Sequence, residues 1–274
     1  MNEKQAKTVR RIYREYLDGK SANQLARDLT KDQVPKWDGT FKWYESTVRK
    51  ILSNEKYKGD ALLQKTYTVD FLTKKRVENT GQIPQYYVED SHPAIIDKEM
   101  WEAVQLEMER RRNYAKEHGL QKLEYATSDN PFAGKVICGS CGKVFGRKVW
   151  NSTDERLRRI IWRCNGKYPT KGEKGCESRH IDDGILYQVF VNTFNTLLEN
   201  KNYFMAKWKE RLRSDNTLHR YKAKQFMKII SETGPVLEFE IDFYNALVEK
   251  ITVVDGKEII VTLLDGTELE CEIE

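Results

Sequence analysis

Apolar residues recur at helical spacing at the start of the chain. Between residues 3 and 18 they stand three or four positions apart, which predicts an amphipathic helix. Gly19 ends this helix, and Ser21 caps a second one. A third helix is predicted to begin near Trp43–Glu45 and to end near Ser53. Three short helices fit a helix-turn-helix unit, but by themselves they are more typical of an ordinary small helical bundle.

Beyond residue 53 the spacing of apolar residues alternates between that of strands and that of helices. Alternating apolar and polar residues predict strands, and apolar residues three or four apart predict helices. A stretch with few large apolar residues predicts a linker between domains. In chain order we expect short strands over 57–91, a helix over 97–117, a linker over 118–130, helices over 181–213 and 218–232, and strands over 248–273 with turns at Asp255–Gly256 and Asp265–Gly266. This mixture predicts an α+β fold with two small domains.

Four of the five cysteines cluster in the sequence. Cys138 and Cys141 form a C-x2-C pair, Cys164 and Cys176 follow, and Cys271 stands apart. Four thiolates fill the tetrahedral coordination sphere of Zn²⁺ and leave no open position for catalysis. The alternative is a redox dithiol, which needs only the first pair and is expected in a thioredoxin-like βαβ unit rather than in this lysine- and glycine-rich segment. We therefore predict one structural zinc ion with all four clustered cysteines as ligands.

Composition points to a reducing compartment. The longest apolar runs, such as Ile259–Val261, are only a few residues, so no transmembrane helix and no membrane partner are expected. The first residues lack the apolar segment of a signal peptide. Five cysteines are also too few and too clustered for a disulfide scaffold. We expect a cytoplasmic protein.

The net charge is +5, and the charged residues are distributed unevenly along the chain. Residues 131–180 hold 12 Lys and Arg against 4 Asp and Glu, whereas residues 234–274 hold 2 against 11. A basic body with an acidic end is typical of a polyanion binder, although a solvated basic surface gives the same count. The candidate DNA contacts are Lys42, Trp43, Ser46, Arg49 and Lys50 around the third helix, and Arg147, Lys148, Arg156, Arg158, Arg159 and Arg163 in the cysteine-bearing segment.

No catalytic constellation is visible in the sequence. There is no phosphate-binding G-x-x-x-x-G-K-[ST] loop and no G-x-S-x-G motif. The four histidines are dispersed and show no H-E-x-x-H spacing. We expect no catalytic residue and no small-molecule substrate.

Taken together, these motifs resemble the DNA-binding C-terminal half of large serine recombinases, a family that includes the serine integrases of bacteriophages and other mobile elements. The resemblance covers most of residues 3–200. The matching stretches are Val9–Tyr13 through Ser21, Trp43 with Ser46–Asn54, Tyr57–Gly59, His92–Ile96 with Trp101 and Val104–Gln105, Cys138–Gly142, and Trp162–Cys164.

The resemblance implies a division into domains. It places a recombinase domain over 1–117, a linker over 118–130 and a zinc-ribbon domain over 131–274. Within the last domain it implies a helical insertion over about 184–233, too short for a full projecting arm, and a C-terminal β-hairpin over 248–274.

The resemblance also implies a function. The chain is expected to bind double-stranded DNA sequence-specifically at a recombination attachment half-site, in the cytoplasm of a bacterial host and on its nucleoid. Other recombinase protomers are expected as partners through the helical insertion. The family's catalytic serine domain precedes these motifs, so no cutting by this chain is expected. A free-standing zinc-ribbon transcription regulator and a structural or RNA-binding zinc protein are the alternatives.

Overall fold

The first domain begins with three helices, as the sequence predicts. The computed structural model describes residues 2–120, 130–151, 153–168, 172, 174–254 and 258–272. Helix α1 spans Glu3–Leu17, α2 spans Ala22–Lys31 and α3 spans Glu45–Leu52. The Ser21 side chain accepts a hydrogen bond from the Gln24 amide, so it caps α2 as predicted.

The core of the first domain lies where the three helices meet a fourth. Helix α4 spans Lys98–Glu117 and packs against α1 and α3. The Tyr13 hydroxyl donates hydrogen bonds to the carbonyls of Ile51 and Leu52 at 2.9 and 3.1 Å, which ties α1 to the end of α3. The buried apolar side chains include Ile12, Tyr13, Leu17, Leu25, Leu29, Trp43, Val48, Leu52 and Val104.

Two small antiparallel sheets extend from this helical core. A short 3-10 helix over Glu55–Lys58 leads into strand β1, Ala61–Leu63, which pairs with β4, Tyr86–Val88. Between them, β2 (Thr66–Asp70) and β3 (Lys75–Glu78) form a separate hairpin. The short strands predicted over 57–91 are therefore present.

The second domain contains two sheets that share the cysteine-bearing segment. Strand β5, Val136–Cys138, joins a four-stranded sheet of order β11-β10-β9-β5 and runs parallel to β9. The other sheet has the order β6-β7-β8 and is antiparallel. The strands are β6 Phe145–Trp150, β7 Arg159–Cys164, β8 Ile181–Asp182, β9 Val248–Val254, β10 Glu258–Leu263 and β11 Glu268–Glu272.

Four helices complete the described part of the second domain, and one prediction about them is wrong. They are α5 Asp183–Glu199, α6 Lys201–Arg211, α7 Thr217–Glu232 and α8 Ile241–Leu247. The single helix predicted over 181–213 is broken at Asn200, whose φ and ψ of −99° and 27° leave the helical region. The C-terminal segment contributes three strands to the sheet rather than one hairpin.

Helix α7 belongs to the cores of both domains. Its Leu218 lies in the first domain's core, whereas Phe226 and Ile230 lie in that of the second. The ammonium of Lys222, which is 2% exposed, donates to the carbonyl of Leu17 at 2.6 Å. The predicted insertion is therefore packed against the rest of the chain along α7.

Some predictions fall outside the described residues. These are most of the linker, residues 121–129, and the turn at Asp255–Gly256. Within the residues that are described, none of the helices combines the length and apolar character needed to cross a membrane.

Candidate metal site and nucleic-acid interface

The fold brings the four clustered cysteines together. Their Sγ atoms all lie within 4.8 Å of one another. The Sγ atoms of Cys138 and Cys176 are 3.6 Å apart, and those of Cys141 and Cys164 are 3.3 Å apart. Four sulfurs bound tetrahedrally to zinc at about 2.3 Å stand about 3.8 Å apart, so the spacing and the donor chemistry both fit that ion.

The backbone at Gly166 lies close to the sulfurs of the cluster. The amide of Gly166 donates to Cys164 Sγ at 3.3 Å. A Cβ atom at Gly166 would stand 3.4 Å from the sulfur of Cys141 and 3.5 Å from that of Cys164, so the backbone at this position lies in van der Waals reach of both sulfurs. Burial opposes ionisation of Cys138, but hydrogen bonds led by the backbone amide of Cys141 lower its pKa to about 7. Burial instead raises the pKa of Cys164, so of these two ligands only Cys138 favours the thiolate, which is the form that binds metal.

The strands β6 and β7 form a hairpin that carries the predicted basic residues of the second domain. Arg147 and Lys148 lie on β6, and Arg159 and Arg163 lie on β7. The other two, Arg156 and Arg158, are exposed in the connection between the strands. The first of these forms an ion pair with Asp154 at 3.3 Å.

The hairpin separates these cations onto two faces. Facing residues of an antiparallel pair share a face, and neighbours along a strand alternate. Gly146 faces Arg163 and Trp150 faces Arg159, which puts both arginines on the face of Lys148 and leaves Arg147 on the other. The Arg159 guanidinium also lies 4.7 Å from the centre of the Trp150 ring. Lys148, Arg159 and Arg163 therefore share one face, on which Asp182 of β8 lies 3.9 Å from the Arg159 guanidinium.

The predicted residues of the first domain surround the start and the exposed side of α3. Ser46 and Lys50 are exposed, and the Arg49 guanidinium forms an ion pair with Glu45 at 2.7 Å. The Lys42 ammonium lies 5.3 Å from the centre of the Tyr44 ring. These side chains lie off the buried stripe of Val48, Ile51 and Leu52.

Trp43 is a core residue in the structure. Its side chain is 7% exposed, and its indole N–H donates to the Val34 carbonyl at 2.8 Å. It can therefore present no surface to DNA, and the prediction that it contacts DNA is corrected. Trp37, which is not among the predicted DNA contacts, is 70% exposed, and the Lys36 ammonium lies 5.8 Å from the centre of its ring. The sequence signal for such a surface is the mixture of two lysines and four aromatic residues between Lys36 and Tyr44.

Comparisons with known proteins match both domains. The family described as Recombinase matches residues 3–111, and the family described as Recombinase zinc beta ribbon domain matches residues 131–195. A putative DNA recombinase of Bacillus subtilis (strain 168) is 24% identical over 216 residues, which are 75% of this chain and 41% of that protein. The chain thus spans about two fifths of that relative's length.

Two further comparisons cover more of the chain. An uncharacterized B. subtilis (strain 168) protein, YefB, is 26% identical over 244 residues, which are 87% of this chain and 69% of that protein. A crystal structure of an LSR–DNA complex matches with a TM-score of 0.51 and 20% identity, covering 97% of this chain and 88% of that one, and so shows a shared fold. The chain therefore carries a recombinase domain over residues 3–111 and a recombinase zinc-ribbon domain over residues 131–195.

Proposed function

We propose that the chain recognises one half-site of a recombination attachment site as double-stranded DNA, as the DNA-binding part of a site-specific serine recombinase. The observation that carries the proposal is the shared face of Lys148, Arg159 and Arg163 on a hairpin anchored beside the cysteine cluster. Guanidinium groups bind phosphates and guanine edges through paired donors. The match to a recombinase zinc-ribbon family supports DNA as the partner.

The proposed division of labour has two contact regions. The exposed side of α3, with Lys42, Ser46, Arg49 and Lys50, contacts one stretch of the major groove. The β6–β7 hairpin, with the six basic residues assigned above, contacts a second stretch. Phosphate contacts would set the register, and base contacts would supply sequence preference.

The proposed zinc ion acts structurally. One Zn²⁺ per chain would be held by Cys138, Cys141, Cys164 and Cys176, and four thiolates leave no position for a reacting water. The ion would supply rigidity to a small module with a limited core of its own. This chain therefore binds DNA without cutting it, in the cytoplasm where the recombination sites lie. Other recombinase protomers would contact the surface of the insertion that is not packed against the rest of this chain.

The test begins with the full chain and a random duplex library. Recovered duplexes are sequenced, and affinities are measured by gel shift across a salt series. Each of the predicted arginines is changed to alanine, with the exposed Arg213→Ala as the matched control. Replacing an arginine that reads a base should cost about 1–3 kcal/mol of binding free energy and relax the sequence preference at one position. Replacing an arginine that binds a phosphate should weaken binding to all sequences alike and lower the slope of log affinity against log salt concentration by about one.

Two results with duplex DNA would overturn the proposal. One is the absence of a common sequence among recovered duplexes, together with equal affinity of all variants and the control. The other is strand cleavage with covalent attachment of DNA to this chain, since binding without a nucleophile leaves the duplex intact. Preference for structured RNA over duplex DNA in the same gel shift would also exclude it.

A further inference from the structure

A basic groove lies beside α3, and Lys50 is the one lining residue among the DNA contacts proposed above. It has a volume of about 450 Å³ and lies between the end of α3, the 3-10 helix and the β2–β3 hairpin. Four cationic side chains line it: Lys50, Lys56, Lys65 and Arg76. Lys50 also belongs to the exposed side of α3, so the groove continues that surface.

Most of the positive charge in the groove is not neutralised. Lys65 forms an ion pair with Glu55 at 2.7 Å. In the part of the chain that the structure describes, Lys50, Lys56 and Arg76 have no ion pair, and all three are exposed. The guanidinium of Arg76 is oriented by a hydrogen bond to the Thr66 hydroxyl at 2.6 Å, which directs a cation without consuming its charge. Three unpaired cations around one groove favour a polyanion as the occupant.

The hairpin itself ends in an exposed apolar tip. Phe71 and Leu72 are each 87% exposed. The Asp70 carboxylate accepts hydrogen bonds from the amides of Leu72 and Thr73 and from the Thr73 hydroxyl, so the turn has a fixed shape. Lys74 and Lys75 follow directly and are exposed. An apolar pair beside cations is the arrangement that enters the minor groove in other DNA-binding proteins.

We propose that this groove is a second phosphate-binding site of the first domain. It binds the backbone of the duplex that α3 contacts, and the β2–β3 hairpin lies along the DNA with Phe71 and Leu72 in the adjacent minor groove. The proposal rests on the proposed function, because it requires the same duplex. It adds a contact that fixes the register of α3 on the DNA.

Paired variants of the full chain test the phosphate site. The probes are a duplex recovered by the chain from a random library and a 30-base-pair duplex of unrelated sequence. Lys56→Gln with Arg76→Gln is compared with Lys209→Gln with Lys228→Gln, which removes the same charge from exposed positions on α6 and α7. The groove pair should weaken binding by roughly tenfold or more and lower the salt slope by about two, one for each lost phosphate contact. The single variant Lys56→Gln should lower the slope by about one, and it leaves the Arg76–Thr66 bond intact.

A second pair tests the tip. Phe71→Ser with Leu72→Ser should weaken binding by roughly tenfold with an unchanged salt slope, because an apolar contact releases no counterions. Leu237→Ser, at a residue that is 92% exposed in the second domain, is the control. Hydroxyl-radical footprints should lose backbone protection next to the α3 footprint in both groove and tip variants.

The outcomes separate the two proposals. If the unaltered chain binds neither duplex, the proposed function fails and this site fails with it. If the unaltered chain binds, but the groove variants match their charge control in affinity and slope, only the phosphate site is wrong. If the tip variants keep full DNA affinity and instead change the sedimentation of the free chain, the tip contacts a second copy rather than DNA.

Discussion

At the scale of single residues, the four cysteines carry the clearest chemistry. Structural zinc contributes directly to folding, because the unfolded chain has no preformed site. We predict one zinc per chain. The double variant Cys138→Ser with Cys164→Ser should lose the zinc, and its zinc-ribbon domain should unfold. Metal analysis and near-ultraviolet circular dichroism measure both effects.

Cys271 supplies the matched control. It lies on β11, and its sulfur is 3.6 Å from the Thr193 hydroxyl, away from the cluster. Cys271→Ser should keep full zinc content. A doubly substituted chain that retained both zinc and the fold of its second domain would contradict the assignment of ligands.

At the scale of elements, one glycine marks where the loop after α1 meets helix α8. Gly19 has a φ of +102°, and a Cβ atom there would lie 2.2 Å from the carbonyl oxygen of Asn245. Gly19→Ala should therefore cost about 1–2 kcal/mol for the left-handed backbone and a further 1–3 kcal/mol for the displaced helix. Denaturant unfolding of the full chain measures the sum.

A second glycine separates these two contributions. Gly39 also has a positive φ, +78°, but a Cβ atom there would meet nothing within 4 Å. Gly39→Ala should show the backbone cost alone. Equal losses of stability in the two variants would mean that the loop and α8 are not in contact.

The sequence was informative about elements and less so about their partners. The periodicity of α1 to α4 and the cap at Ser21 specify these helices locally, so they could be predicted. Periodicity also identifies the apolar face of α7, but it does not say what covers that face. The structure places Leu218 of α7 against the first domain, a contact that no local pattern encodes.

The candidate site shows the same limit. Four cysteines at ribbon spacing allow few arrangements, and the structure brings them together. An aromatic residue beside a basic helix can pack in the core or face a ligand, and Trp43 was assigned to the wrong one of these. Phe71 and the basic run from Lys74 to Arg76 could not be predicted as a site from the sequence, because exposed residues of a short hairpin follow no periodic rule.

At the scale of the whole molecule, the two domains are joined by a buried network of charges. Glu107 is fully buried and forms ion pairs with Arg110 at 2.8 Å and with Arg111 at 2.6 Å. The Arg110 guanidinium also forms an ion pair with Glu249 of β9. Breaking a buried network of this kind is costly, because it leaves an uncompensated charge.

This network makes stability depend on pH. Burial outweighs the opposing effect of Glu107 and, together with the nearby Arg110 and Arg111, lowers the pKa of Lys222 to about 8. Burial and the same arginines lower the pKa of Lys135 to about 7. In the unfolded chain both pKa values return to about 10.5. Between pH 7 and 10 the unfolded chain therefore binds more protons, and the free energy of unfolding should rise with pH.

Substitution at Lys222 tests the origin of that rise. Lys222→Met should reduce the rise in the free energy of unfolding between pH 7 and 10 by on the order of 2 kcal/mol. Lys224→Met, two positions along α7 and 60% exposed in its side chain, should leave the pH profile unchanged. Thermal or denaturant unfolding at several pH values gives both profiles, and identical slopes in the two variants would refute the prediction.

The position of α7 in the chain has a consequence for synthesis. The contact between Lys222 and Leu17 joins residues 205 positions apart. A ribosome releases α1 to α4 first, and the surface of α4 that α7 covers stays open until residue 232 has emerged. We expect nascent chains halted before α7 to be prone to aggregation and to be bound by chaperones, and release of α7 to end that exposure. The first domain is thus completed only by a helix that is translated about a hundred residues after its own final helix.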